Sequence, residues 1–409
     1  MTLREPPRID GGRKGFLYRL SYVPLILLLL CGIAAGGIGW WAQGRQDVEP
    51  SPTPDPTLPL PSDPAPITPA PGVVTPSSTL TSSCRPPAPQ PSSQPWLNDA
   101  RAAESVWQQH SADMSGPAVT GEDGWVFWGD VQAQNFSQAL GRRLLSEAEV
   151  AGWTSYLSAV RDALGQRGIP FVVVIAPAKW SIYPQELPSW GQSIRGSGPL
   201  DQLMAAAGEL PVVDLRATEL AAAQQQAVFS RVNSHWTEYG AYVGWKQIAG
   251  CLNDLYPTLG LRMPVPISGV RVEQANNEFA PFGVPDPAAP DWAVPEYADP
   301  LSAVRVTDAS GVTTEVAGDQ PTDMSQLPVT THTDQPQTDK TALLLRDSFG
   351  NALSIPVQQA FATTWQVRHN VDTPGSVPDI AALADEYHPD VVILEIAQRH
   401  LTFPAPKVP

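Results

Sequence analysis

Basic residues, histidine and cysteine are scarce in this sequence, and each shortage narrows the functions it allows. Its 25 Lys and Arg residues are outnumbered by 41 Asp and Glu residues, which gives a formal net charge of −16. An acidic chain of this kind is a poor partner for nucleic acid. The six histidines are scattered, and no Cys/His pair has the spacing of a metal-binding motif. The sequence therefore predicts neither a bound metal nor a cofactor.

The cysteines number only three, at positions 31, 84 and 251. Outside the cytoplasm Cys84 and Cys251 are free to form a disulfide, because oxidising compartments preserve such bonds. Two cysteines of unknown geometry do not by themselves establish a bond. The sequence therefore leaves the pairing open.

The N-terminal region has the pattern of a membrane anchor. Residues 20–42 carry no charged side chain, and a helix of that length spans a hydrocarbon core of about 30 Å. Basic residues precede it within 1–19, so the positive-inside rule predicts a cytoplasmic tail and a domain on the periplasmic or extracellular side. A cleaved signal peptide is the alternative. We favour an uncleaved, single-pass anchor in the cell membrane, because the apolar stretch is longer than a usual signal peptide requires.

Proline dominates the next region, where it alternates with Ser, Thr, Ala and Asp. A chain of this composition cannot bury a core and favours extended polyproline II structure. We therefore predict a linker over residues 43–96 and a globular domain over 97–409.

The globular part alternates between helix and strand signals. Ser146 and Glu149 form a capping-box pattern, after which apolar residues recur at helical spacing. The run 171–176 is apolar on both faces, which is typical of a strand in a sheet covered on both sides. Further alternation predicts an α/β domain with a mostly parallel sheet in a three-layer sandwich. Residues 258–340 interrupt this pattern and predict a β-rich insertion, a type of segment that often borders an active site.

Two separated stretches carry the residues of acyl-transfer chemistry. Ser348 follows an apolar run predicted to be a buried strand, which places its hydroxyl at the carboxyl edge of the sheet beside backbone N–H groups. His235 lies just before a helix that Thr237 is suited to cap. A serine hydroxyl needs a neighbouring base to become a nucleophile, and an imidazole is the usual one.

Several segments, in this order, are similar to the SGNH-hydrolase-like domain of the alginate O-acetyltransferase family, the AlgX/AlgJ type. They cover nearly all of residues 115–402 and are Gly121-Glu122-Asp123-Gly124-Trp125-Val126-Phe127, Ala176-Pro177-Ala178-Lys179, Ile182-Tyr183-Pro184, Leu187-Pro188, Val213-Asp214-Leu215, His235-Trp236-Thr237, Gly240-Ala241-Tyr242, Arg346-Asp347-Ser348-Phe349-Gly350 and Pro389-Asp390-Val391-Val392 with Glu395 and Arg399.

This resemblance implies a flavodoxin-like, SGNH-hydrolase-like fold and the transfer of acetyl groups to hydroxyls of an exopolysaccharide or cell-wall glycan outside the cytoplasm. It also implies a partner, a multi-pass membrane acyltransferase that delivers the acetyl group. The most serious departure from the family is Asn233, which stands where an aspartate normally orients the histidine, and Ala178 stands where the family often has asparagine. Asparagine can accept a hydrogen bond from the imidazole but brings no charge.

The resemblance gives three residues catalytic roles. Ser348 is the expected nucleophile, with a helix cap as its alternative role. His235 is the expected general base, with a buried structural histidine as the alternative. Asn233 is expected to orient His235, unless it only forms a local turn.

Four further residues are candidates for binding substrate or the oxyanion. The backbone N–H groups of Ser348 and of the turn after it, Gly350 included, are expected oxyanion donors, and Arg368 is a side-chain candidate. The alternative for Arg368 is an exposed surface charge. Lys179 either meets substrate or is simply exposed, and Trp236 either stacks on a sugar ring or belongs to the core.

The favoured function is therefore a membrane-anchored O-acetyltransferase that acts through an acetyl-serine intermediate. Two alternatives remain: an acetyl esterase, and a catalytically silent glycan-binding protein of a polysaccharide assembly machine. The sequence does not identify the glycan, the acetyl donor or the oligomeric state.

Overall fold

The structure, a computed structural model, describes residue 80 and residues 83–114, 116–373 and 375–408. The predicted cytoplasmic tail (1–19), the predicted anchor (20–42) and most of the predicted linker (43–96) lie outside the described residues. Within the described part, no helix is both long enough and apolar enough to cross a membrane.

The described chain alternates between helices and strands from residue 95 onward. Its α-helices, in chain order, are α1 (Pro95–Asn98), α2 (Ala100–Gln109), α3 (Asn135–Leu140), α4 (Glu147–Gln166), α5 (Lys179–Ile182), α6 (Ser189–Ser193), α7 (Pro199–Ala206), α8 (Arg216–Ala223), α9 (Glu238–Leu255), α10 (Gly350–Ala360) and α11 (Ile380–Tyr387). Its strands are β1 (Ala118–Thr120), β2 (Val126–Trp128), β3 (Phe171–Ala176), β4 (Val212–Asp214), β5 (Ile267–Glu273), β6 (Trp292–Tyr297), β7 (Val304–Asp308), β8 (Thr313–Val316), β9 (Val329–Thr333), β10 (Thr341–Arg346), β11 (Thr363–Arg368) and β12 (Val391–Ala397).

One eight-stranded sheet organises the domain, in the order β4-β3-β12-β10-β11-β9-β7-β8. The strands from β4 to β11 are parallel, whereas β9, β7 and β8 run antiparallel to their neighbours. All three antiparallel strands come from the predicted insertion (258–340). The sheet is therefore mixed, and the insertion extends it instead of standing wholly apart from it. The remaining insertion strands, β5 and β6, form a separate antiparallel pair.

The parallel strands form where the sequence is continuously apolar. All six residues of β3 are buried, as the sequence predicted for a strand covered on both faces. Successive side chains of a strand point to opposite faces. Val172 and Val174 accordingly enter the hydrophobic core on one face, while Val173 and Ile175 enter the core on the other.

These two cores give the domain its three layers. On one face the sheet is covered by α4, α7 and α11, through residues such as Trp153, Leu203 and Ala384. On the other face it is covered by α5, α8, α9 and α10, through residues such as Trp180, Ala222, Trp245 and Leu353. The predicted three-layer α/β arrangement is thus present.

Helix α9, which follows the predicted catalytic histidine, begins as its sequence predicts. The Thr237 side chain accepts a hydrogen bond from the N–H of Gly240, and Glu238 lies in the positive first turn. Ala241, Trp245 and Leu252 face the core and are fully buried. This packing fixes the start of α9, and with it the position of the residues immediately before the helix.

A disulfide between Cys84 and Cys251 answers the question that the sequence left open, and it joins residues 167 positions apart. The segment around Cys84, at the C-terminal end of the predicted linker, lies against the domain. The Arg85 side chain donates hydrogen bonds to the carbonyls of Val212 (3.0 Å) and Gly208 (2.9 Å). The N–H of Asp214 donates to the carbonyl of Cys84 (3.0 Å).

Candidate active site

The candidate site lies at the carboxyl edge of the parallel strands, where ligands bind in open α/β sheets. Ser348 follows the end of β10 by two residues and precedes α10 by two. His235 lies in the loop that leads to α9. Neither side chain is fully buried: Ser348 is half-buried, and the His235 side chain is 28% exposed. A substrate can therefore reach both residues.

The two predicted catalytic side chains meet. His235 Nε2 lies 2.8 Å from Ser348 Oγ, a hydrogen-bonding distance across 113 residues of sequence. The ring of Phe349, the residue after the serine, packs against the imidazole with a centroid separation of 5.1 Å. This geometry is that of a nucleophile beside its general base.

Asn233 determines which imidazole nitrogen carries the proton. Its Oδ1 accepts a hydrogen bond from the His235 backbone N–H (2.9 Å) and lies 3.1 Å from His235 Nδ1. Its Nδ2 donates to the carbonyl of Asn276 (2.8 Å), and a carbonyl can only accept, so the amide orientation is fixed. Nδ1 must then carry a hydrogen, which leaves Nε2 to accept the Ser348 hydroxyl proton. Asn233 thus makes a local turn and orients the imidazole with the same oxygen.

A carboxylate that the sequence analysis did not identify lies beside this pair. Glu278 Oε2 is 3.6 Å from His235 Nδ1. The other carboxylate oxygen accepts hydrogen bonds from the Trp128 indole N–H (3.1 Å) and from the backbone N–H of Ser234. Burial raises the pKa of Glu278, but hydrogen bonding and positive charge from His235, Ser234 and Lys179 outweigh it and leave the pKa below its usual value.

The family model of the SGNH hydrolase-like domain of acetyltransferase AlgX matches residues 118–278. This range includes Asn233 and His235 and ends at Glu278, whereas Ser348 lies beyond it. Over residues 118–278 the chain is therefore similar to the AlgX/AlgJ-type family of SGNH hydrolase-like domains. This match confirms the resemblance drawn from the sequence motifs over that range.

Curated relatives of this AlgX/AlgJ-type domain include two proteins named probable alginate O-acetylase AlgJ. The one from Pseudomonas syringae pv. tomato is 28% identical over 144 residues, which cover 35% of this chain and 35% of the relative. The one from Pseudomonas putida is 30% identical over 133 residues, which cover 32% of each chain. The chain thus matches about a third of the length of these relatives.

Solved structures give only distant matches. Bacillus cereus PatB1 has a TM-score of 0.48 at 13% identity, over 70% of this chain and 99% of that chain. The O-acetyltransferase domain of Pseudomonas putida AlgJ has a TM-score of 0.41 at 19% identity, over 70% of this chain and 92% of that chain. Likenesses at this level carry no argument about the site.

The predicted oxyanion donors differ in their availability. The Gly350 N–H donates to the carbonyl of Asp347 (3.2 Å), and the Phe349 N–H donates to Asp347 Oδ1 (2.9 Å). Among the described residues the N–H of Ser348 has no acceptor. Ser348 itself is therefore the best-placed backbone donor for an oxyanion, and Gly350 is already engaged.

Gly350 has a steric role instead. A Cβ atom at this position would lie 2.1 Å from Cδ of Arg346. Arg346 is fully buried and donates hydrogen bonds to Gln366 (2.9 Å) and Asn351 (2.8 Å) and to the carbonyl of Thr322 (2.8 Å). Burial lowers the pKa of this guanidinium to about 10, against the raising effect of nearby carboxylates. Glycine is needed here because it leaves room for this side chain.

Arg368, the predicted side-chain oxyanion donor, pairs with a different group. Its Nη2 lies 2.7 Å from Asp372 Oδ2, and the Arg368 side chain is 38% exposed. In the described chain its hydrogen bond and its ion pair are both made with Asp372, and neither involves Ser348. The structure thus gives Arg368 a local ion pair, and a role in the oxyanion site stays a prediction.

Trp236 and Lys179 are both buried. For Trp236 this is the core position that the sequence left open, whereas for Lys179 it corrects the expectation of an exposed side chain. Trp236 is fully buried and donates its indole N–H to the carbonyl of Phe349 (2.8 Å). Its neighbour His235 faces the site, and the bridge between Trp236 and Phe229 turns the indole inward. A ring without exposed surface cannot stack on a sugar.

Lys179 is only 3% exposed because its ammonium group has partners inside the protein. Its Nζ donates to the carbonyls of Ser230 (3.2 Å) and Arg231 (2.9 Å), in the loop that leads to Asn233. Three aromatic rings surround it at 5.3–5.6 Å, those of Trp125, Phe127 and Phe279. Burial lowers the pKa of Lys179 to about 7, with nearby carboxylates acting in the opposite direction. Lys179 therefore stabilises the loop that carries Asn233 and His235 through hydrogen bonds to its backbone.

Asp347, His369 and His400 form a buried cluster behind Ser348. One side-chain nitrogen or oxygen atom from each of the three residues lies within 4.8 Å of the others. The His369 Nδ1 accepts the N–H of Val371 (3.0 Å), so its Nε2 carries the hydrogen that points to Asp347 Oδ2 (3.3 Å). His400 Nδ1 lies 3.0 Å from the same oxygen. Burial opposes ionisation of Asp347, but the two histidines outweigh it and hold its pKa well below the usual range.

The hydrogen bond between His369 and Asp347 supports the serine turn, whereas His400 Nδ1 lies close to the carboxylate without hydrogen-bond geometry. Asp347 Oδ2 also accepts the N–H of Ala397 (2.8 Å), so the carboxylate links β10 to β12. The sequence analysis did not identify either histidine as part of the site, because each is isolated in the sequence and only the topology places them together.

A small pocket beside the site contains another residue with unmet hydrogen-bonding capacity. Trp128, Ser234, Phe349 and Arg399 are among its lining residues. Arg399 is 8% exposed, its guanidinium lies 5.3 Å above the Phe349 ring, and its buried Nε has no acceptor among the described residues. A polar group of a substrate in this pocket would supply the missing acceptor.

Proposed function

We propose that this chain is an O-acetyltransferase that moves an acetyl group to a hydroxyl of a polysaccharide through an acetyl-serine intermediate. The observation that carries the proposal is the hydrogen-bond chain from Asn233 through His235 to Ser348. The relatives' printed name, probable alginate O-acetylase, supports the acetyl group and the polysaccharide acceptor.

The first half of the proposed reaction acylates the serine. His235 Nε2 accepts the Ser348 hydroxyl proton while Oγ forms a bond to the carbonyl carbon of an acetyl ester. The N–H of Ser348 is placed to donate to the oxyanion that develops. The tetrahedral intermediate then collapses, the bond to the donor's oxygen breaks, and the imidazolium returns its proton to that oxygen.

The second half transfers the acetyl group to the acceptor. His235 takes the proton of a sugar hydroxyl, whose oxygen attacks the acetyl-serine carbonyl, and the bond to Ser348 Oγ breaks as Oγ regains a proton. Transfer prevails over hydrolysis only where the acceptor is held in place and water is excluded. The insertion (258–340) borders the site through Asn276 and Glu278 and is the segment we assign to that task.

Two alternatives use the same residues differently. Reaction of the acetyl-serine with water would make the protein an acetyl esterase. The neutral Asn233, in the position of the family's aspartate, favours a catalytically silent glycan-binding protein instead.

The proposed location and partners follow from the same comparison. We propose a single-pass anchor at residues 20–42, a domain outside the cytoplasm and an acetyl donor delivered by a multi-pass membrane acyltransferase. The Cys84–Cys251 disulfide supports a location outside the reducing cytoplasm.

The proposal predicts that Ser348→Ala abolishes acetyl transfer. The full-length protein is incubated with a chromogenic acetyl ester, with and without a soluble polysaccharide acceptor, and acetylated glycan is measured by mass spectrometry. We expect acceptor-dependent transfer by the wild type and a loss of at least ~10³-fold in Ser348→Ala.

A serine-reactive phosphonate identifies the nucleophile independently of the acceptor. We expect it to label the wild type and to leave Ser348→Ala unlabelled. Ser325→Ala, at an exposed serine of the insertion, is the matched control. Turnover without glycan acetylation would identify an esterase, absence of both turnover and labelling would favour the silent binder, and activity that survives in Ser348→Ala would rule out the assigned nucleophile.

A further inference from the structure

We infer that Glu278, a residue of the insertion, supplies the negative charge beside His235 that Asn233 lacks and thereby acts as a positioning residue for the general base. The inference rests on the proposed function for its kinetic consequences, but its electrostatic content can be tested without turnover.

The distances assign different tasks to the two residues. Asn233 Oδ1, at 3.1 Å from His235 Nδ1, fixes the tautomer. Glu278 Oε2, at 3.6 Å from the same nitrogen, is the carboxylate in ion-pair range of the ring. In a Ser-His-Asp enzyme one aspartate both orients the imidazole and stabilises the imidazolium. Here an amide performs the first task and a carboxylate from another part of the chain performs the second.

The Glu278 carboxylate is held in place by donors that leave one of its oxygens for the imidazole. Trp128 Nε1 (3.1 Å) and the N–H of Ser234 both donate to Oε1. Oε2 therefore faces His235 with its lone pairs available. The Glu278 side chain is only 17% exposed, so solvent screens its charge weakly.

Two hydrogen bonds hold the insertion against the loop that carries Asn233 and His235. The N–H of Glu278 donates to the carbonyl of Val232 (3.2 Å), and the carbonyl of Asn276 accepts from Asn233 Nδ2 (2.8 Å). This second bond explains why position 233 is an amide, because an aspartate there would direct a carboxylate oxygen at a carbonyl oxygen. A charge is therefore better placed at 278 than at 233.

Other charged groups around the pair are few in the described chain. The ammonium of Lys179 lies behind Glu278 and interacts with it electrostatically. Asp291 accepts hydrogen bonds from Ser230 Oγ (2.9 Å) and from the Arg231 N–H (2.7 Å), and it acts electrostatically on Lys179. On the other side of His235, Phe349 and Ser348 are uncharged, and beyond them the Arg399 guanidinium lies 5.3 Å above the Phe349 ring.

The test compares Glu278→Gln with the wild type, because glutamine keeps the acceptor oxygen and removes only the charge. We expect kcat for acetyl-ester turnover to fall ~10- to 100-fold, since the amide still orients the ring. The acid limb of the pH profile of kcat/KM should move to lower pH, because an imidazolium without a neighbouring anion loses its proton more readily.

Three further variants separate charge from structure. Glu315→Gln neutralises an exposed carboxylate of the same insertion and should leave kcat and the acid limb unchanged. Trp128→Phe removes a hydrogen bond to Glu278 but not its charge, so it should lower activity less than Glu278→Gln and leave the acid limb in place. Asn233→Asp in the Glu278→Gln background should recover part of the lost kcat, because it returns a charge to the imidazole but gives up the hydrogen bond to Asn276.

An NMR titration of the His235 ring gives a reading that does not depend on turnover. We expect its midpoint to be lower in Glu278→Gln than in the wild type and equal in Glu315→Gln. A protein that shows this shift without Ser348-dependent turnover would refute the proposed function and support the role of Glu278. An unchanged titration midpoint in folded Glu278→Gln would overturn the inference, whatever the activity. If Glu278→Gln does not fold, the same comparison is made with Glu278→Asp, whose shorter side chain moves the charge away from His235 and should also lower the midpoint.

Discussion

Removal of the Cys84–Cys251 disulfide should destabilise the domain without disabling its active site. The bond fastens the segment around Cys84 to α9, which is the helix that begins just after His235. The perturbation is Cys84→Ala with Cys251→Ala, chosen because both cysteines are fully buried and alanine adds no polar group.

The magnitude follows from the length of chain that the bond closes. Its half-cystines are 167 positions apart, and the chain-entropy relation for a loop of that size gives about 5 kcal/mol at 25 °C. That value is an upper limit, because the denatured chain retains residual structure and therefore gains less entropy when the bond is removed. We expect the free energy of unfolding to fall by about 3–5 kcal/mol.

Urea denaturation of the full-length protein, followed by tryptophan fluorescence, measures this loss. Cys31→Ala serves as the control for removing a cysteine that is outside the bond. Acetyl-ester turnover at low temperature should match the wild type, because Cys251 lies in the C-terminal half of α9, whereas His235 precedes the N-terminus of that helix. Three reactive thiols in the unreduced, denatured wild type, or equal stability of the double variant, would refute the reasoning.

Two further predictions concern groups packed around the site. Gly350→Ala should lower the free energy of unfolding by about 2–4 kcal/mol, because the added Cβ would meet Arg346 Cδ at 2.1 Å. The control Gly250→Ala has no neighbour within 4 Å of the added Cβ and should be neutral or slightly stabilising. Equal stabilities of the two variants in urea denaturation would contradict this. Lys179→Met tests the buried ammonium, whose pKa burial lowers to about 7 from 10.5 against the raising effect of Glu278 and Asp291. Between pH 7 and 10 the unfolded chain binds more protons at Lys179 than the folded chain does. The free energy of unfolding of the wild type should therefore rise with pH across that window, relative to Lys179→Met, by up to about 4 kcal/mol. A pH-independent difference in urea denaturation would show that the folded-state pKa is not lowered.

The elements that sequence reasoning predicted correctly are those whose pattern is local. The strands at 171–176 and 341–346 are continuously apolar, and α9 has a threonine cap followed by buried residues at helical spacing. The order of such strands and helices was enough to predict a parallel core in three layers. The hydrogen bond between His235 and Ser348 then follows from the rule that loops at one edge of a parallel sheet lie near one another.

Features that depend on partners distant in the sequence were not predictable in the same way. Strand β9 joins the main sheet between β11 and β7, although its polar sequence, Val-Thr-Thr-His-Thr, gives no sign of that pairing. Glu278 lies in a segment without a motif, and only the folded insertion brings it to the imidazole. Trp236 follows the catalytic histidine directly, but adjacent residues in an extended segment point in opposite directions, so it is buried.

Because Glu278 lies in the insertion, the insertion cannot be exchanged to change substrate preference alone. A chimera of this chain that received residues 258–340 from a relative would acquire a new border to its acceptor site. It would keep a carboxylate beside His235 only if the relative also has an acidic residue at the position of Glu278. A relative that already has an aspartate at the position of Asn233 could receive a foreign insertion and keep the charge beside its histidine, so its turnover would be unchanged. In this chain the same exchange would remove that charge and reduce turnover. Drift in substrate preference and drift in turnover are therefore linked here through a single side chain.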